Sequence, residues 1–184
     1  MEHDDRIILG IDPGTNIMGF GVIGVSGKKL EMKDMGVLDI RKETDAYIKL
    51  KTIFDTTLTL IDRFMPDELA IEAPFYGKNV QSMLKLGRAQ GTAISAALSR
   101  DIPVFEYAPR KIKLSITGVG QASKEQVASM LEQLFGFKDA TKSLDATDGL
   151  AVAVCHYYQA MPAQKKSSAK SWEEFIRKNP GRIG

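Results

Sequence analysis

The stretch "ILGIDPGT", residues 8–15, runs from apolar residues into an aspartate and then into a sharp turn. Ile and Leu at this density predict a strand over residues 6–12. Pro13 fixes φ and Gly14 permits a positive φ, so the chain reverses directly after Asp12. Taken alone, the turn has an ordinary structural explanation. Asp12 gains a functional meaning only if other carboxylates of the chain reach the same strand tip.

The segments that follow this turn predict an antiparallel meander and then a helix. Residues 17–25 are rich in Val, Ile and Gly, and "SGKK" indicates a hairpin into a third strand near residues 29–40. From Tyr47 onward apolar residues recur at helical spacing until Pro66, which predicts a helix over this segment.

The second half of the chain alternates strands with helices. "ELAIEAPF" is a short and nearly continuous apolar run, as expected of a central strand buried on both faces. A helix over residues 79–99 and a strand "IPVFEY" follow, and two further helices are predicted near residues 124–135 and 144–158. This alternation predicts an α/β fold with a partly parallel sheet and helices on its faces.

The bulk composition limits the architecture and the compartment. A chain of 184 residues with 43% hydrophobic content can bury one substantial core, and its length requires no second domain. No apolar run reaches membrane-spanning length and the N-terminus "MEHDDR" is acidic, so we expect no signal peptide, no membrane partner and a cytoplasmic location. The single cysteine, Cys155, stands in an apolar run and is expected to be a buried, inert thiol.

Positive charge is concentrated in two segments, although the net charge of the chain is only +2. Residues 107–124 contain four basic residues and no acidic one, and from residue 163 onward six basic residues stand against two acidic ones. Such segments favour a polyanionic partner, with a solvated surface as the simpler alternative. We expect residues 1–5 to be an N-terminal extension, residues 6–160 the folded domain, and residues 161–184 a basic, flexible tail.

Four carboxylates stand where the predicted elements could bring them together. Asp12 and Glu72 end two predicted strands, and Asp145 and Asp148 share one face at the start of a predicted helix. Each has a structural alternative; for Asp145 and Asp148 it is the favourable interaction of acids in a first helical turn with the helix dipole. Clustered, the four would repel one another unless hard divalent cations, typically Mg²⁺, bound between them. Carboxylate clusters of this kind commonly hold two ions and hydrolyse phosphodiester bonds.

Five ordered stretches resemble the RuvC-type Holliday junction resolvases, which have a ribonuclease H-like fold: "ILGIDPGTNIMGFGVI", "LAIEAPFYGKNVQSMLKLGRAQG", "PVFEYAPRKIK", "GVGQASKEQV" and "DATDGLAVAVCH". They span nearly all of residues 6–158 in the family's order. The resemblance implies a mixed five-stranded sheet with helices on both faces. It also implies that the four acids are catalytic ligands of two Mg²⁺ ions, with Mn²⁺ as a substitute.

The resemblance further implies roles for basic and aromatic residues. Lys113 and Lys124 match catalytic basic residues near the scissile phosphate. An aromatic side chain at Phe75 would stack on bases opened at the junction centre, with a core anchor as the alternative. Contacts to the DNA backbone add mainly salt-dependent affinity. The other expected DNA contacts are Tyr76, Lys78, Lys85, Arg110 and Lys111.

The implied enzyme is a crossover junction endodeoxyribonuclease that works as a homodimer on four-way junction DNA. It would nick two strands of like polarity symmetrically during homologous recombination and DNA repair, with the RuvA and RuvB branch-migration proteins as partners. A two-fold enzyme matches the symmetry of such a junction. The candidate for the dimer contact is a face of small residues, namely Gly87, Gly91, Ala93 and Ala97.

Two rival interpretations make different demands on the sequence. "GIDPGT" also resembles the first phosphate loop of the actin and sugar-kinase ATPases, which need a duplicated fold and a second glycine-rich phosphate segment. This chain is too short for the duplication and shows no second copy. A noncatalytic junction-binding module of the same fold would be marked by the loss of an acid, and all four acids are present.

Overall fold

One mixed sheet sets the positions of the first two carboxylates. The computed structural model describes residues 4–74, 79–138 and 143–160. The strands within these ranges are β1 (Arg6–Asp12), β2 (Ile17–Ser26), β3 (Lys29–Asp39), β4 (Glu68–Glu72) and β5 (Val104–Tyr107), in the spatial order β3-β2-β1-β4-β5. The pairs β1–β2 and β2–β3 are antiparallel, whereas β4 runs parallel to both β1 and β5. The predicted mixed five-stranded sheet is confirmed.

Helices pack on both faces of this sheet. In the described ranges they are α1 (Ala46–Phe64), α2 (Val80–Leu98), α3 (Pro109–Thr117), α4 (Lys124–Phe135) and α5 (Leu144–Ala160). Successive strand residues point to opposite faces. Ile8 and Ala70 therefore pack in a core with α3, α4 and α5, while Leu9 and Ile71 pack in a second core with α1 and α2.

Helix α5 lies against the sheet at backbone contact. A Cβ atom at Gly19 would stand 1.9 Å from the carbonyl oxygen of Asp145, and one at Gly21 would stand 2.3 Å from the Cα atom of Leu150. Only glycine leaves room for so close an approach. Because Gly19 is the partner of Asp12 in the β1–β2 ladder, this packing brings the start of α5 to the end of β1.

Local signals explain where the helices begin and end. The Asp45 side chain caps α1 by accepting from the backbone of its first turn, and Ser123 with Gln126 forms a capping box at the start of α4. Helix α3 was not among the predicted helices. It begins with Pro109 at its first turn and ends at Gly118, whose φ is 74°.

The two chain ends differ in what the structure describes. The amide of Asp5 donates to the carbonyl oxygen of Val25 at 2.8 Å, so the last part of the predicted N-terminal extension continues the pairing of β1 with β2. The predicted basic tail, residues 161–184, lies outside the described residues. None of the described helices combines the length and the apolar character needed to cross a lipid bilayer.

Candidate active site

Three of the four predicted acids line one cleft at the edge of the sheet, here called the acidic cleft. Asp12 and Glu72 are the last residues of β1 and β4. These strands are parallel neighbours, with Ile11 opposite Ile71, so both carboxylates leave the sheet at the same edge. Asp148, near the start of α5, faces them across a cleft of about 180 Å³.

Two lysines complete the polar lining of this cleft. Lys113 comes from α3, and Lys124 is the first residue of α4. The ammonium group of Lys124 donates to Asp148 Oδ2 and lies 3.6 Å from Asp145 Oδ1. The fold thus brings together five of the six residues predicted to be catalytic, and Lys124 links the sixth, Asp145, to them.

The partial burial of these acids disfavours their charged forms. Burial, reinforced by repulsion from Asp148, raises the pKa of Asp12 to about 7, although Lys124 opposes the shift. Burial likewise raises the pKa of Glu72 to about 8, with added repulsion from Asp12 and Asp148. Burial also raises the pKa of Asp148, despite its hydrogen bond to Lys124. A cation that binds between such groups favours their carboxylate forms and lowers their pKa values.

The donor set fits a hard divalent cation, although the side chains do not surround one. Carboxylate oxygens are the protein ligands that Mg²⁺ prefers, and burial together with mutual repulsion leaves the carboxylates of Asp12 and Glu72 without full charge compensation. Within the ranges that the structure describes, no three His, Cys, Asp or Glu side chains converge closely enough to hold an ion. The ammonium group of Lys124 is instead the local counter-charge of Asp148.

Two residues that the sequence analysis missed hold the acidic strand ends in place. Gln90 of α2 is only 7% exposed, and its Nε2 donates to the carbonyl oxygen of Glu72 at 3.3 Å and to Glu106 Oε2 at 3.0 Å. Lys49 of α1 donates to the carbonyl oxygen of Thr15 at 3.0 Å, which ties the turn after Asp12 to that helix. The one signal in the sequence was a glutamine within the small-residue segment "GRAQGTAISAA".

The other predicted DNA contacts fall in different parts of the molecule. Arg110 and Lys111 are exposed on α3 beside Lys113, and Lys111 Nζ lies 5.3 Å from the centre of the Tyr107 ring. Lys85 is exposed on α2 and lines a separate cleft. The contacts predicted for Phe75, Tyr76 and Lys78 lie outside the described residues.

Two residues with reactive side chains lie in the core, away from the acidic cleft. His156 is 1% exposed, with Nδ1 2.7 Å from Tyr107 Oη and Nε2 2.8 Å from Glu68 Oε2. Glu68 begins β4, so this contact lies at the opposite end of that strand from Glu72. Cys155 is fully buried, as the sequence predicted.

Comparison with known proteins gives concordant matches over nearly the whole chain. The family model described as crossover junction endodeoxyribonuclease RuvC matches residues 8–156. A protein of that name from Bacteroides fragilis is 58% identical over 97% of this chain and 96% of its own length, and one from Porphyromonas gingivalis is 53% identical over 100% of both. The solved structure of T. thermophilus RuvC in complex with Holliday junction substrate is 31% identical, with a TM-score of 0.78, over 84% of this chain and 94% of that one.

Fold and cleft together define a nuclease of the ribonuclease H-like class, which depends on divalent metal ions. The chain belongs to the RuvC family of crossover junction endodeoxyribonucleases. The family and the fold class predicted from the five ordered stretches are both confirmed.

Proposed function

We propose that this chain resolves Holliday junctions by Mg²⁺-dependent hydrolysis of phosphodiester bonds, nicking two strands of like polarity during recombination and repair. One observation carries the proposal: three partly buried carboxylates and two lysines line a single cleft at the edge of the sheet. Strongly raised pKa values, such as those of Asp12 and Glu72, are typical of functional sites. The solved relative in complex with a Holliday junction substrate supports the substrate class.

The proposed metal ligands are the four acids Asp12, Glu72, Asp145 and Asp148. They would hold two Mg²⁺ ions, with Mn²⁺ as an alternative. The chemistry supplied by the bound ions would be activation of the attacking water and stabilisation of the leaving oxygen. The carboxylates by themselves repel a DNA phosphate, so the substrate also needs positive charge from this chain.

Lys113 and Lys124 supply that positive charge. Both line the cleft beside the carboxylates, so a phosphate that enters the cleft meets their ammonium groups. Burial opposes the charged form of Lys124, but its hydrogen bond to Asp148 and the nearby acids hold its pKa above the usual value. Lys124 therefore stays protonated near neutral pH and acts through its charge, not as a general base.

We also propose that the chain works as a homodimer joined through α2. Val80, Leu84 and Leu98 recur at helical spacing along the outer side of α2 and are 65%, 55% and 57% exposed. A Cβ atom at Gly87 or Gly91 would meet nothing within 4 Å, so these glycines leave room for a partner helix. The other two residues of the predicted contact face, Ala93 and Ala97, are fully buried in the core and cannot touch a partner.

The family resemblance also supports two wider proposals. The first is that the RuvA and RuvB branch-migration proteins are partners of this chain. The second is that the enzyme acts in the cytoplasm. Neither changes the chemistry of the cleft.

The first test is cleavage of a labelled synthetic four-way junction in Mg²⁺, with linear duplex of the same sequence as the control substrate and EDTA as the control condition. We expect paired, Mg²⁺-dependent nicks confined to the junction. Asp12→Asn and Asp148→Asn should each reduce cleavage by roughly a thousandfold or more while junction binding survives, because each removes a metal-binding carboxylate.

Asp55→Asn is the matched control for these substitutions, because Asp55 is exposed on α1 and pairs with Lys51 away from the cleft. It should cut at the wild-type rate. Tight junction binding without cleavage in any divalent metal would contradict the proposal and favour a noncatalytic junction-binding module.

A further inference from the structure

A second cleft, here called the basic cleft, opens between α1, α2 and the turn that follows Asp12. Its volume is about 390 Å³, roughly twice that of the acidic cleft. Clefts of this size are typical of sites that hold one small ligand or ligand fragment. Its polar and aromatic lining consists of Thr15, Asn16, Thr44, Tyr47, Lys49, Ser82, Lys85 and Arg88.

The lining of the basic cleft is positively charged and contains no acid. Lys49 is held there by hydrogen bonds to the Thr15 carbonyl oxygen and to Asn16 Oδ1, at 3.0 and 2.9 Å. Lys85 and Arg88 are exposed, stand on adjacent turns of α2, and form no ion pair with any other described residue. An anion in the cleft would relieve the repulsion between these like charges.

An exposed aromatic ring stands beside these cations. Tyr47 lies in the first turn of α1, and its side chain is 78% exposed although tyrosine usually buries much of its ring. Rings presented to solvent next to basic side chains form stacking surfaces for unpaired bases. The combination of cations and one exposed ring fits a nucleotide better than it fits a free phosphate.

The turn after Asp12 lies between the basic cleft and the acidic cleft. Asp12 lines the acidic cleft and Thr15 lines the basic cleft, so the two are joined by three residues of chain, at most about 11 Å long. The acidic cleft opens on the side of α3, α4 and α5, and the basic cleft on the side of α1 and α2. A DNA strand bound in the acidic cleft would reach the basic cleft by crossing this turn.

We propose that the basic cleft binds one nucleotide of an unpaired DNA strand that continues from the acidic cleft. Lys85 and Arg88 contact its phosphate groups, and its base stacks on Tyr47. This inference rests on the proposed function, because it takes the ligand to be the junction. It also gives Lys85 a role, although that residue lies outside the acidic cleft.

The phosphate contacts are tested by binding of a fluorescent four-way junction in EDTA over a range of salt concentrations. The double variant Lys85→Gln/Arg88→Gln should bind about ten to a hundredfold more weakly at low salt, and its slope of log Kd against log salt should fall by about one to two. Lys51→Gln/Arg100→Gln is the matched control, because it removes the same charge from α1 and from just beyond the end of α2 at exposed ion pairs. An equal slope for the two double variants would overturn the inference.

The stacking contact is tested with 2-aminopurine placed at successive positions around the cleavage site of the junction. Binding of wild-type protein should quench one of these probes, Tyr47→Phe should retain the quenching, and Tyr47→Ala should lose it and bind about five to a hundredfold more weakly. Unchanged quenching with Tyr47→Ala would overturn the stacking role.

The two levels of proposal fail separately. If wild-type protein cuts the junction in Mg²⁺ and both double variants show equal salt slopes, the basic cleft is refuted as a DNA site and the nuclease function is supported. If wild-type protein binds the junction without cutting it, and only Lys85→Gln/Arg88→Gln lowers the slope of log Kd against log salt, the basic cleft is supported as a DNA site and the nuclease function is refuted.

Discussion

At the scale of single residues, Asp12 is charged in the folded chain only at an energetic cost. Burial and the neighbouring Asp148 raise its pKa from 3.8 to about 7. The folded state therefore binds a proton more tightly than the unfolded state does. Linkage then requires the contribution of Asp12 to stability to become less favourable as the pH rises from about 4 to about 7, and to remain unfavourable above that.

We therefore expect Asp12→Asn to be more stable than the wild type at pH 8 in EDTA, by about 1–3 kcal/mol. The difference should shrink at pH 5, where the wild-type carboxyl is already protonated. Saturating Mg²⁺ should reduce or reverse it, because a ligand that binds the folded state stabilises that state. Thermal unfolding at both pH values, with and without Mg²⁺, measures all three effects.

The control for this prediction is again Asp55→Asn, which should change stability little at either pH because its ion pair with Lys51 is exposed. An Asp12→Asn variant that is no more stable than the wild type at pH 8 in EDTA would show that the Asp12 carboxylate is not destabilising.

The sequence predicted the positions of the acids better than the residues that support them. Asp12 and Glu72 each follow an apolar run, so their places at strand ends could be predicted from the local pattern. Gln90 and Lys49 act on backbone groups 18 and 34 positions away along the chain. Their roles depend on how helices dock on the sheet, which no local pattern encodes.

At the scale of elements, the contact between α5 and the sheet sets the geometry of the acids. Gly21→Ala would push its new methyl group into the Leu150 backbone, since the ideal Cβ position lies 2.3 Å from Leu150 Cα and 2.6 Å from its nitrogen. Neither backbone atom can move without moving the helix. We expect a loss of about 1–3 kcal/mol or more in the free energy of unfolding, measured in urea.

Cleavage should fall as well, because a displaced α5 carries Asp145 and Asp148 with it. Gly36→Ala is the matched control in the same sheet. Its Cβ would meet only the far end of the Phe20 ring, at 2.9 Å, and that ring can adjust. Equal stability for the two variants would contradict the prediction, because it would mean that α5 can shift away from the sheet at little energetic cost.

Long elements were predicted well and one short element was missed. Helices α1, α2, α4 and α5 have 12 to 19 residues each, enough for apolar spacing to reveal them. Helix α3 has nine residues and buries only Ile112, so its pattern is too short to stand out. Pro109 and Gly118 were its only boundary signals, and both are also common in turns.

At the scale of the whole molecule, the exposed apolar side of α2 predicts the assembly state. Leu84→Glu should convert a dimer into a monomer, because it places a charge at the centre of the proposed contact, where Leu84 is 55% exposed in the single chain. The fold should persist because the residue is not part of the core. Analytical ultracentrifugation measures the mass, and the junction assay should then show single nicks in place of paired ones.

The matched control is Leu134→Glu, since Leu134 is 42% exposed on α4 and lies outside α2. It should remain a dimer. A Leu84→Glu protein that is still dimeric would show that the dimer interface does not lie on this side of α2.

The fold class was predictable because five ordered stretches carry it, whereas the basic cleft was not. Its lining comes from the turn after β1, from the start of α1 and from the first half of α2, which are separated along the chain. Only Lys85 among its cations was predicted as a DNA contact, and it was not assigned to this cleft. The relative positions of α1 and α2, set by the second core, create the cleft.

The order of the acids along the chain has a consequence for synthesis on the ribosome. Asp12 and Glu72 are translated early, but Asp145 and Asp148 belong to the last described helix. Domains form as units once their sequence has emerged. A ribosome that stalls before α5 releases a chain with half of the acids and no helix to cover Gly19 and Gly21. Under the proposed ligand set, we therefore expect such incomplete products to lack nuclease activity on the chromosome of the cell that makes them.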